Sequence, residues 1–109
     1  MSTKLYDKLI EDLEATLSSI SLDLLSVEQG VKKNDDGSQT PYTRIELEVP
    51  RGNGPFSRCR FFCKLPPTNF SFTESDLDNG ISVMLVNFKV TFISAQHEIY
   101  SRADSIQQI

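Results

Sequence analysis

Between Tyr42 and Leu65 apolar and polar residues alternate one by one in two runs, a period that a strand can bury on one face and a helix cannot. In the first run, Tyr42 to Val49, the pattern turns Ile45, Leu47 and Val49 inward and Arg44, Glu46 and Glu48 outward. In the second, Ser57 to Leu65, Cys59, Phe61, Cys63 and Leu65 share one face, and Arg58, Arg60, Phe62 and Lys64 the other. Pro50-Arg51-Gly52-Asn53-Gly54-Pro55 joins them as a loop, because two prolines and two glycines suit neither helix nor ladder.

The flanking segments read as elements that complete a sheet. Leu5, Leu9, Leu13 and Leu17 recur every four residues, and Tyr6, Ile10 and Ile20 widen the stripe. This predicts an amphipathic helix from Lys4 to Ser18, capped by Ser2 or Thr3, with its acids early toward the positive end of the dipole. From Ile20 the period changes to two, with Leu22 and Leu24 on the inner face, until Leu25 breaks the phase. A β-bulge there lets Leu24 and Val27 share the inner face of a strand reaching Lys33. Asn34-Asp35-Asp36-Gly37-Ser38 supplies residues that tolerate positive φ and marks a hairpin turn.

After Pro66-Pro67, residues Thr68 to Asn79 form a connection with one helical turn opened by Thr73. Ile81 to Ile93 is β-branched or aromatic at most positions and reads as a central strand covered on both faces. Ala95-Gln96-His97 is a turn before a last strand around Ile99 to Ser101 and a short tail. The 109 residues fit one domain, 1–109, with one core. Its predicted class is mostly β (α+β), an N-terminal amphipathic helix plus about five antiparallel strands. The bulge and the glycine-rich loop suit a small, partly closed barrel of the oligonucleotide-binding type, with a flat α+β sandwich as the alternative.

Several functional classes find no support. Asp7, Glu11, Asp12 and Glu14 interrupt the opening segment where a signal peptide needs an apolar stretch, and Asn87 and Lys89 break the longest apolar run. Two cysteines are too few for a disulfide framework, so a reducing, cytoplasmic setting is expected. On one strand face Cys59 and Cys63 would lie roughly 13 Å apart, too far for a disulfide, and are expected to be buried thiols. His97 is the one histidine, without a second histidine or a nearby thiol, so neither a metal site nor a catalytic dyad is indicated. No cofactor and no enzymatic activity are expected.

Net charge is −4, but its distribution is uneven. Residues 1–48 hold ten acids against five bases and residues 72–109 five against two, whereas residues 49–71 hold four bases and no acid. That basic middle pairs Arg51 in a flexible loop with a strand face carrying Arg58, Arg60, Phe62 and Lys64, extended by Tyr42 and Arg44 on the preceding strand. Cations for phosphates beside a ring for bases are the two ingredients of single-strand binding. The partner expected from these residues is single-stranded nucleic acid. The alternative is an acidic interaction module that meets a replication or host protein, as inhibitor or adaptor of a host or phage enzyme, with no direct nucleic-acid contact. A lone helix and an edge strand also leave room for a homodimer.

Three stretches carry a resemblance: Ser57-Arg58-Cys59-Arg60-Phe61, Val83-Met84-Leu85-Val86-Asn87, and Ile99-Tyr100-Ser101-Arg102-Ala103-Asp104. In these, under a third of the chain, it resembles small replication-accessory proteins of Gram-positive conjugative elements, a family that includes helicase-processivity factors. The resemblance implies a mobile-element protein that assists DNA unwinding through single strands or a helicase, and it transfers no catalytic residue.

Overall fold

The computed structural model describes residues 3–96 and 98–109, the side chains of residues 3–6 excepted. Helix α1 (Thr3–Ser18) leads into β1 (Leu22–Lys33), β2 (Gln39–Glu48) and β3 (Arg60–Leu65). A short helix α2 (Glu74–Asn79) precedes β4 (Ser82–Val86), β5 (Lys89–Ile93), β6 (Ile99–Arg102) and β7 (Ser105–Gln108). The seven strands form one sheet in the order β5-β6-β3-β2-β1-β4-β7. All pairings are antiparallel except β3 with β6, so the sheet is mixed, and the expectation of antiparallel pairing throughout is corrected there.

That order forces the sheet to curl. A flat sheet would hold β4 and β5 five strand spacings apart, about 24 Å. Yet only Asn87 and Phe88 join them, and three residues reach about 11 Å at most. The same holds for β6 and β7, joined by Ala103 and Asp104. Val86 faces Ser105 and Lys89 faces Arg102, so the register passes through the corner without a slip. β4–β5 and β6–β7 are therefore the two bent arms of one hairpin. Its first half pairs with β1 and its second half with β3, which rolls the sheet into a half-barrel. Asn87 turns the corner at φ 53°, and its Nδ2 donates to Asp104 Oδ2 at 2.7 Å.

The single strand expected from Ile81 to Ile93 is thus corrected to two strands, β5 at one edge of the sheet order and β4 next to the other edge. Ser105–Gln108, expected to be part of a short tail, form β7. Phe88 at the bend is buried edge-on against Phe61, 5.9 Å between centroids, which explains why so apolar a run reads as one covered strand.

The core is the inner face of this curl: Leu22, Leu24, Ile45, Leu47, Val49, Phe61, Cys63, Leu65, Val83 and Leu85, closed by Leu13 and Leu17 of α1. Leu9 points outward, so the buried stripe of α1 runs through Leu13 and Leu17 with Ile10 beside it. The cap on Ser2 lies outside the described residues, and no acid falls in the first turn, so dipole pairing there is corrected. Glu14 Oε1 instead accepts the Val90 N–H at 2.8 Å, satisfying a donor on the unpaired edge of β5.

Local signals in the meander hold. The β1–β2 register shifts between Leu24 and Ser26, where Leu25 is the extra residue, and Asn34, Gly37 and Ser38 close the hairpin. Thr73 caps α2 in a reciprocal box with Asp76.

Candidate nucleic-acid interface

The outward face of the half-barrel carries most of the residues singled out from sequence, though not all in one place. Tyr42 and Arg44 on β2 and Phe62 and Lys64 on β3 line an open groove of about 500 Å³. Tyr100 and Arg102 of β6, brought beside β3 by the parallel pairing, form its far wall.

Packing within the groove is specific. The Arg44 guanidinium sits 4.7 Å from the Phe62 ring centroid while its Nη2 donates to Glu28 Oε2 at 2.6 Å. Glu28 raises the pKa of Arg44 above its ordinary value, chiefly through that hydrogen bond, so the cation is held firmly. Arg44 Nε is enclosed without a hydrogen-bond partner. Lys64 Nζ lies 4.9 Å from the Tyr42 ring centroid. Phe92 of β5 stacks on Tyr100 at 5.5 Å, and the Tyr100 hydroxyl donates to Glu98 at 3.0 Å, which raises its pKa.

Phe62, Tyr100 and Phe92 are 43%, 45% and 52% exposed. They stand directly opposite one another on β3, β6 and β5, making a row of open rings across three strands. An isolated exposed ring needs no explanation, but three in register on one face form an apolar patch that a soluble sheet ordinarily covers or uses.

Arg58 and Arg60 are placed elsewhere. Both reach Glu48, with Arg58 Nε at 3.0 Å from Oε1 and Arg60 Nε at 2.8 Å from Oε2. Glu48 was expected on an open face, but the two guanidinium groups cover it and it is buried. Arg58 is not on a strand. It turns at φ 69°, its N–H donating to Val49 O at 2.7 Å, before β3 starts at Arg60. That displacement swings Cys59 out to solvent, correcting its expected inward place, whereas Cys63 stays buried. Arg51 is exposed in the loop, away from the groove-lining residues.

The charged and aromatic residues that sequence reasoning missed are Tyr100, Arg102, Phe92 and Lys89. No local pattern marks them, because their neighbours on the face come from a parallel pairing of segments far apart in the chain. Among the described residues no cluster of three or more histidines, cysteines or carboxylates could hold a metal, and no helix is long and apolar enough to cross a membrane. His97 lies outside the described residues. Comparison with protein-family models, curated proteins and solved structures finds no match.

Proposed function

We propose that this chain is a non-catalytic binding module that holds single-stranded nucleic acid against the outer face of β2, β3 and β6, in a barrel of the oligonucleotide-binding type. The observation that carries the reading is the row Phe62–Tyr100–Phe92, open to solvent and flanked by Arg44, Lys64 and Arg102. Rings accept any base by stacking, and only an unpaired strand can offer its base faces. In such barrels the face of the second and third strands is where oligonucleotides dock. The resemblance to conjugative-element accessory proteins supports a place in replication, where single strands are exposed in the cytoplasm.

Fluorescence anisotropy of labelled single-stranded and duplex oligonucleotides at about 50 mM and about 200 mM salt tests this. The expected result is preference for the single strand, weakening with salt. Phe62→Ala and Tyr100→Ala should each lower affinity by about 5- to 100-fold, the worth of one stacked base. No binding to either form at low salt overturns the reading and leaves a protein partner, sought by pull-down, as the occupant of the face.

A further inference from the structure

A second row runs parallel to the rings. Arg44 on β2 stands directly opposite Lys64 on β3, Lys64 opposite Arg102 on β6, and Arg102 opposite Lys89 on β5. Four cations thus lie side by side on four consecutive strands, spaced by about 4.8 Å of strand separation. Glu28, next in line on β1, neutralises Arg44. No described acid lies within ion-pair distance of the other three. Asp104 shares their groove, but Asn87 holds its carboxylate at 2.7 Å.

Like charges directly opposite one another destabilise a sheet. Lysines on an edge strand are ordinary protection against aggregation, which accounts for Lys89. It does not account for Lys64 and Arg102, whose strands have neighbours on both sides. The three also line a second open groove of about 600 Å³, which meets the first at Tyr42, Lys64 and Arg102.

Resting on the functional reading above, the geometry points to Lys64, Arg102 and Lys89 as a phosphate track that makes the nucleic-acid backbone cross β3, β6 and β5 at a steep angle. Each cation lies two residues along its strand from a ring of the first row or, on β5, three residues with one bulged out. That puts the two rows about 6.6 Å apart on one face. A nucleotide carries its base and its phosphate on opposite sides of the sugar. A strand laid across the sheet therefore sets bases on the ring row while its phosphates follow the cation row. Running along the strands instead would meet one ring and one cation in turn, with no continuous path for either.

The test is the salt dependence of oligothymidylate affinity for the wild-type chain and for Lys64→Gln, Arg102→Gln and Lys89→Gln, with Arg58→Gln and Arg60→Gln as comparisons. Each phosphate neutralised on a single strand contributes about −0.7 to the slope of log K against log salt. Each row substitution should shrink the slope by about 0.7, and the two arginines held by Glu48 should leave it unchanged. A methylphosphonate-linked strand, whose backbone is uncharged, should bind the wild-type chain with almost no salt dependence, a readout independent of how any variant folds. Binding by the wild type with slopes unaltered in all three row variants overturns the track and leaves the functional reading intact. A wild-type chain that binds no strand overturns both.

Discussion

The Tyr42 ring lies flat across Gly30 on the neighbouring strand, so that a Cβ at residue 30 would stand 2.5 Å from Tyr42 Cζ. Gly30 needs no positive φ, and its role is to leave room for a ring. Gly30→Ala should displace Tyr42, and with it Lys64, which rests over that ring. The expected outcome is a melting temperature within a few degrees of wild type, because Ala suits a strand better than Gly, beside a several-fold loss of oligonucleotide affinity. Thermal melts and anisotropy check the two halves separately.

Glu48 gathers Arg58 and Arg60, and through Arg58 fixes a left-handed turn that a non-glycine residue adopts at a cost. Glu48→Gln should destabilise the fold by about 1–2 kcal/mol, below the full worth of two charged hydrogen bonds because both arginine side chains are more than half exposed. Amide exchange at Arg58, whose N–H donates to Val49 O, and at Val49, whose N–H donates to Cys59 O, should accelerate first.

Thr43 is fully buried, yet its hydroxyl serves three groups: it donates to Gln29 Oε1 at 2.9 Å, lies 3.3 Å from Thr68 O, and accepts the Thr68 N–H at 3.0 Å. Thr43→Val keeps the shape and strands that N–H, which should cost about 1–3 kcal/mol. Urea unfolding measures it. The loss should appear as a lower midpoint at unchanged slope, since the surface exposed on unfolding is the same.

The two thiols should behave oppositely. Burial pushes the Cys63 pKa from its ordinary 9.0 up to about 12, while Cys59 faces solvent. A thiol reagent near neutral pH should modify one cysteine in the native chain and two after unfolding. Because the folded state disfavours the Cys63 thiolate, stability is unaffected below pH 9 and falls as pH climbs from 9 toward 12. Cys63→Ala should flatten that alkaline decline in a pH series of melts.

What was legible in the sequence is what neighbours along the chain decide. The bulge at Leu25, the turn at Asn34–Ser38, the helical turn opened by Thr73, and the inward set Ile45, Leu47, Phe61 and Cys63 all follow from spacing. Half of the candidate site was visible for the same reason, since Tyr42, Arg44, Phe62 and Lys64 sit on two strands joined by one loop. Arg58 and Cys59 defeated the pattern, because a left-handed arginine has no signature of its own and shifts the phase of everything before Arg60. Tyr100 and Arg102 were hidden because nothing near them in sequence says that their strand will pair parallel to β3. The bend at Asn87 and Phe88 was hidden because Phe88 is buried like a residue of a central strand, and a lone exposed Asn87 fits an outward position of one.

The register that the hairpin keeps through its bend at Asn87 and Phe88 also bears on the order in which the molecule assembles. β1 meets β2 through a tight turn and β2 meets β3 through the loop 49–59, and the two arms of the hairpin are likewise near in the chain, so each half can form early from local contacts. The pairing of Phe62 with Tyr100 joins the halves across a long loop and is correspondingly slow to be made. Every row on the outer face is divided by that seam, with Phe62 and Lys64 on one side and Tyr100, Arg102, Phe92 and Lys89 on the other. A half-folded chain therefore presents no complete row, and a ligand that spans the seam holds it shut, stabilising the closed molecule in proportion to ligand concentration over affinity.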